Sequence, residues 1–324
     1  MSLLRWFGRI FSLLTFLLSL SIILIIGLAI TWGISSWYRY SHNNQPQQWG
    51  LVWSSKEAKN NNLTTKDLDN LLSQIPFKKL QLMTYWDIYE IENDEYQFEN
   101  LKDIFELARG RHVKIDLQLG LHQSFTPSCH QPDWAKSLNK IKFQDELKSY
   151  IEKIILEFDA VINLEQYLLE PEIFQANDNQ CLHQLTENDL EEFYNFTKSL
   201  TDKPIIISRN NNSPLWRKER ISADGYGISL IPQQHLNQGN FFAKNIPSSW
   251  YTFTAGNLKL FHAESEILIR KINLTTPAEQ DDLEQIFDYL RRIGIKKIYL
   301  DGASTWLNNP AMLEVIKKQI EADF

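Results

Sequence analysis

"QYLLEPEIF" (Gln166–Phe174) is a short apolar run that stops on two acids split by a proline. Gln166–Leu169 is too short for a helix and reads as a buried strand. Pro171 biases the residue before it away from the helical region, so Glu170 sits at the strand's tip. Seven other stretches share this character: "GLVWS" near Gly50, "KLQLM" near Leu80, "HVKIDLQLG" from His112, "PIIISR" from Pro204, "GYGISL" from Gly225, "LKLFHAE" from Leu258 and "KKIYLDG" from Lys296. Near-continuous short apolar runs are the pattern of parallel strands buried on both faces.

Amphipathic patterns separate the runs. "TTKDLDNLLSQI" opens on Thr65 as N-cap, and "FENLKDIFELARG" closes on Gly110 as a C′ residue. "FQDELKSYIEKIILEF" and "TENDLEEFYNFTKSL" carry apolar side chains every three or four positions. "TPAEQDDLEQIFDYLRRIG" begins at Thr276-Pro277 and ends at Gly294, "NPAMLEVIKKQIEADF" closes the chain, and "NNNSPLWRKERISAD" is weak as a helix. Eight strands alternating with helices over residues 49–324 predict a single α/β (β/α)8 TIM barrel, a fold of typically ~250 residues. The competing layout is a doubly wound open sheet, but no G-x-G-x-x-G dinucleotide fingerprint supports it.

Ahead of the barrel, residues 10–38 carry no charge, a stretch longer than the ~20 residues a helix needs to cross a bilayer. A cleavable signal has an apolar region of roughly 7–15 residues and a small-x-small site, and neither fits. The expected organisation is a cytoplasmic tail (1–9), one transmembrane anchor (10–38), a polar linker (39–48) and an extracytoplasmic barrel. Arg5 and Arg9 before the span set that orientation, and Trp32, Trp37 and Tyr38 suit its outer interface.

The totals narrow the chemistry. A formal net charge of -7 on 324 residues argues against nucleic acid as a partner. Ten Trp suit either a carbohydrate cleft or a large core, and two Cys exclude a Cys-rich metal centre. No Walker loop, nucleophile elbow or H-E-x-x-H motif is present. No cofactor and no metal are expected.

In such barrels the chemistry sits at the C-terminal ends of the strands. Reading those ends gives Trp86 and Asp87 after the second run, His122, Cys129, His130 and Trp134 after the third, Glu170 after the fourth, Glu264 after the seventh, and Asp301 with Trp306 after the eighth. Glu266 rivals Glu264, because strand alternation points both to one side. Two carboxylates across a cleft are the minimum apparatus for glycoside hydrolysis. Cys129 and Cys181 fall in loops after adjacent strands, so an exported domain would join them as a disulfide. Zinc held with His130 and His183 is the alternative. Trp86 and Trp306 could stack on sugar rings or pack in the core, and His130 could line the cleft.

The phrases "LMTYWDIYEIENDEYQFENL", "SCHQPDWA", "LLEP", "KPIIIS", "HAESE" and "IYLDGASTW" follow one another in an order that resembles cellulase-like glycoside hydrolases of clan A, more closely a bacterial group of that superfamily. The resemblance covers nearly everything after residue 48. It implies a retaining glycosidase acting on carbohydrate, with Glu170 as acid/base and Glu264 as nucleophile, their carboxyl groups ~5–5.5 Å apart. Several positions depart from the pattern. Leu169 replaces the Asn before the acid/base, Gln81 replaces an Arg, Phe125, Thr126 and Ser128 replace Arg, Trp and Glu, and Asp301 replaces an aromatic platform. Such losses also fit a barrel that has given up catalysis and binds a glycan or a protein at the cell surface.

Overall fold

The computed structural model describes residues 2–123, 129–173, 181–209, 219–230, 247–274 and 280–323, with side chains from residue 14 onward. Eight parallel strands close into a barrel in the cyclic order β1, β10, β9, β8, β7, β6, β5, β2. They are β1 (Gln48–Trp53), β2 (Lys79–Met83), β5 (Lys114–Leu119), β6 (Leu164–Leu169), β7 (Ile205–Ser208), β8 (Gly225–Ile228), β9 (Glu266–Asn273) and β10 (Lys297–Asp301). The remaining pair, β3 (Glu90–Glu92) and β4 (Glu95–Tyr96), forms a small antiparallel hairpin.

The helices are α1 (Ser2–His42), α2 (Ser55–Asn60), α3 (Thr65–Gln74), α4 (Trp86–Tyr89), α5 (Glu99–Gly110), α6 (Lys140–Phe158), α7 (Glu187–Leu200), α8 (Ser248–Phe261), α9 (Gln280–Ile293), α10 (Ala303–Leu307) and α11 (Pro310–Glu321). Local chemistry sets their ends. Thr64, not Thr65, caps α3, because its backbone N–H and hydroxyl both bind Asp67. Thr186 and Asp189 repeat that box on α7. Gly110 is the last residue of α5 rather than its C′ residue. Gly294 does adopt a positive φ of 78° after α9. Thr276, Pro277 and most of "NNNSPLWRKERISAD" lie outside the described residues.

Two apolar layers hold the barrel. The larger packs the outer face of the strands against the helices, from Trp49 and Leu51 round to Ile298 and Leu300. The smaller fills the interior with the alternate residues Val52, Met83, Leu168, Ile206, Leu268 and Tyr299. Below it, at the N-terminal ends of the strands, the interior turns polar. Lys79 pairs with Glu165, and Lys297 pairs with Glu165 and Glu266. Asp116 accepts from Gln166 and Tyr299. Complete burial raises the Asp116 carboxyl to about 6, against the pull of Lys297 and Lys79.

Two sequence expectations change here. "LKLFHAE" is not the seventh strand, since Leu258–Phe261 is the last turn of α8. That helix looks continuously apolar because α1 covers one side and the barrel the other, burying Tyr251 to Leu258 without a break. The strand is "EILIRKIN", whose apolar run is interrupted by Arg270 and Lys271. The second change concerns the linker. Helix α1 runs unbroken to His42 and packs on α8, so within the 39–48 stretch residues 39–42 are helix, 43–47 are the connection and Gln48 opens β1. The segment Leu14–His42 is long and apolar enough to cross a membrane.

Candidate functional site

The C-terminal rim is built by the residues that follow each strand. Glu170 directly follows β6 but is not exposed at the mouth. It adopts a φ of 44°, a left-handed conformation that costs a non-glycine residue about 1–3 kcal/mol. Its side chain reaches across to the backbone just past the end of β5 and is completely buried. Oε1 accepts from Leu121 N at 2.6 Å, and Oε2 accepts from His122 N at 2.8 Å and meets His122 Nδ1 at 2.9 Å. Gly120 makes room, because a Cβ there would lie 2.2 Å from Oε1. These three hydrogen bonds offset the backbone strain. They also engage both oxygens of the group expected to act as acid/base.

Glu264 is farther from that role. It precedes β9, whose first residue Glu266 pairs with Gly225, the first residue of β8. Both Glu264 and Glu266 therefore stand at the N-terminal end of the barrel, opposite Glu170. Glu266 is spent on Lys297 at 2.6 Å. Glu264 lines a cavity of about 550 Å³ with Lys198, Asp224 and His262 on that lower face. An eight-residue strand at ~3.3 Å per residue separates the two ends by roughly 25 Å. The pair expected at ~5–5.5 Å is not brought together. The seventh barrel strand ends instead on Asn273, with Arg270 and Lys271 before it.

The aromatic platforms are also core. Trp86 is fully buried against Trp134, Phe143 and Tyr150, and its Nε1 donates to Glu90 Oε2 at 2.7 Å. Trp306 is fully buried, and its Nε1 donates to Leu274 O at 3.0 Å. Neither ring has a face left for a sugar. His130 is buried edge-on to Tyr85, with Nδ1 2.8 Å from Lys56 Nζ, which in turn holds Asp87 at 2.6 Å. Cys129 and Cys181 form a disulfide with Cα atoms 5.6 Å apart. Among the described residues no cluster of His, Cys, Asp or Glu could hold a metal. Phe125, Thr126 and Ser128 lie outside the described residues.

What does gather at the mouth is a mixed charged group. Asp301, at the end of β10, is almost fully buried, and desolvation, reinforced by Glu57 and Glu172 against the pull of Lys271, raises its carboxyl to about 7. Lys271 Nζ stands 3.8 Å from Asp301 and 3.9 Å from Glu172. Glu172 is gripped by Arg270 through two bonds of 2.9 and 3.2 Å, and Arg270 also donates to Ser229 Oγ at 2.7 Å. Glu57 accepts from Ser304 Oγ at 2.6 Å. The sequence reading named Asp301 but missed Glu57, Glu172, Arg270 and Lys271. Glu172 was visible two residues past Glu170, but the turn at 170–173 that aims it at Arg270 is not written in the local pattern. Arg270 and Lys271 were hidden because the strand holding them was placed one element too early.

No protein-family model matches the chain, and no curated protein sequence matches it. Its fold is that of solved glycoside hydrolases. A GH5_18 structure from Streptomyces cattleya in complex with GlcNAc aligns with a TM-score of 0.61 at 8% identity, over 79% of this chain and 70% of that one. Endo-glycoceramidase II from Rhodococcus sp., in a cellobiose-like imidazole complex, aligns at 0.57 and 13% identity, over 80% and 73%. A GH10 endo-beta-1,4-xylanase from Gloeophyllum trabeum aligns at 0.52 and 14%, over 80% and 84%.

Proposed function

We propose that this protein is a membrane-anchored, extracytoplasmic barrel that binds carbohydrate at its C-terminal rim and does not run the two-glutamate retaining reaction. The observation that carries this reading is the fate of the two acids. Glu170 is consumed by three hydrogen bonds beneath the rim, and Glu264 stands at the other end of the barrel. Carbohydrate as the ligand is supported by the fold, which is shared with proteins solved with GlcNAc and with a cellobiose-like imidazole. The rim of Asp301, Glu172, Lys271 and Glu57 offers the acceptors and donors that sugar hydroxyls need. Export is supported by the Cys129–Cys181 bond and by Arg5 and Arg9 ahead of the span.

A second reading keeps hydrolysis but moves it. Through Lys271, the nearest oxygens of Asp301 and Glu172 are no more than about 8 Å apart, within reach of the ~6.5–9.5 Å spacing of an inverting pair. The test is a glycan array probed with the full chain in nanodiscs, read for both retention and product. Retention without product is expected. Product that survives Glu170→Gln and vanishes with Asp301→Asn would replace binding by the relocated reaction. Product lost in Glu170→Gln with stability intact would restore the two-glutamate enzyme.

A further inference from the structure

The way α1 is docked fixes which face of the barrel looks at the membrane. Along α1, Ser35 Oγ meets Ser249 O at 3.4 Å and Arg39 Nη2 meets Thr252 Oγ1 at 3.4 Å. Ile34 and Tyr38 press on Gly256, where a Cβ would lie 2.7 Å from Ile34 Cγ2. Tyr38 and His42 then line one cavity with Lys259. Later residues of α1 thus meet later residues of α8, so the two helices run in the same direction. Helix α8 leads within five residues into the N-terminal end of β9, antiparallel to the strands. His42 lies six positions before Gln48, which opens β1 at that same lower end. The C-terminal end of α1 is therefore at the bottom of the barrel, and its N-terminal part projects past the top.

Distances set how far. Helix α8 rises about 21 Å over its 14 residues, close to the height of the strands, so the Ser35–Ser249 contact is level with the strand tips. Every described side chain of α1 from Leu14 to Ile30 is exposed, and from Thr31 onward one side of the helix, with Ile34, Ser35 and Tyr38, becomes covered. Phe11 to Ile30 rises about 30 Å, the thickness of a hydrocarbon core. Ile30 is only about 7 Å of helix from Ser35, so the strand tips stand within roughly 10 Å of the hydrocarbon boundary. Trp32, Trp37 and Trp250 are exposed at this level, as aromatic residues are in the headgroup layer.

We infer that the mouth of the barrel faces the bilayer that α1 crosses, and that its ligand is a membrane-borne glycan, a sugar headgroup carried on lipid. This rests on the carbohydrate reading of the mouth. A free polysaccharide would have to thread the gap beneath the barrel, whereas a sugar on a lipid is presented at the height of Asp301 and Lys271. The strut is rigid because Gly256 permits helix contact and five residues, 43–47, connect α1 to the sheet.

The orientation is tested separately from the ligand. The described cysteines are both in the disulfide, so one introduced cysteine can be labelled selectively. Asn308 follows β10 at the top and Glu264 lies at the bottom, and both are exposed. In nanodiscs containing headgroup spin-labelled lipid, a fluorophore at Asn308→Cys should be quenched several-fold more than one at Glu264→Cys. Equal or reversed quenching would overturn the proposal. The ligand arm compares lactose free in solution with lactose on a diacylglycerol in the same disc. Cross-linking to the lipid-borne sugar, at least tenfold above the free sugar at equal total concentration, is expected. Binding of the free sugar alone would overturn the membrane-borne class and leave the carbohydrate reading standing. Binding of neither would remove the carbohydrate reading and the ligand class with it, while the quenching result stands by itself.

Discussion

Replacing Glu170 by Gln separates a structural clamp from a catalytic acid. The side chain is fully buried and accepts from Leu121 N, His122 N and His122 Nδ1. Gln keeps the shape but has one acceptor oxygen, and its amide nitrogen only donates. Whichever way the amide turns, its nitrogen confronts a backbone N–H, either that of Leu121 or that of His122. A tautomer change at His122 can rescue at most the imidazole contact. One charge-assisted hydrogen bond is lost, worth about 1.5–3 kcal/mol, and one buried N–H is left without an acceptor at about 1–3 kcal/mol. The loss is about 3 kcal/mol, and at roughly 2 °C per kcal/mol for a domain of this size Tm falls by about 6 °C. Thermal circular dichroism of the full chain in nanodiscs at one fixed scan rate reads this directly. A Tm within about 1 °C of wild type, together with abolished turnover on aryl glycosides, would refute the clamp and return Glu170 to the mouth.

Other outcomes follow from the same geometry. Changing Cys129 and Cys181 together to Ser opens a 52-residue loop and should cost about 4 kcal/mol in the chain-entropy picture, measurable by urea titration. The raised Asp301 carboxyl, about 7 in the folded chain against 3.8 ordinarily, means that the folded state keeps a proton the unfolded state gives up. Its contribution to stability is full below about pH 4 and is lost as pH rises through about 7. Relative to wild type, Asp301→Asn should therefore gain stability across that window, by up to about 1.4 kcal/mol per pH unit, then level off. A flat difference between pH 4 and 8 counts against the assignment. Arg270→Met or Glu172→Gln alone should cost about 3–5 kcal/mol by taking the main partner from a buried charge, and the double variant should recover much of it, as a double-mutant cycle would report. Gly256→Leu should lever α1 off α8 and equalise quenching at the two labelled positions described above.

The chain's own order of residues was sufficient for the architecture. Seven of the eight strands were legible because a strand buried on both faces must be apolar along its length, and the helix long and apolar enough to cross a membrane because its run carries no charge. These are local constraints, satisfied or violated within a few residues. The seventh strand failed on the same logic. Helix α8 is covered from two sides and so mimics a strand, while "EILIRKIN" carries a buried Arg270 held by Glu172 and a partly exposed Lys271 beside Asp301. The site was less legible still. That Glu170 is an acid at a strand tip follows from its neighbours in sequence. Whether it enters the mouth or folds beneath it depends on a φ of 44°, on a glycine fifty positions earlier at Gly120, and on two backbone N–H groups across the sheet. Hydrogen bonds between elements distant in sequence have no periodicity to read. Only the closed barrel, which fixes β5 beside β6 and sends β9 upward from Glu266, decides which carboxylates meet and which are kept apart.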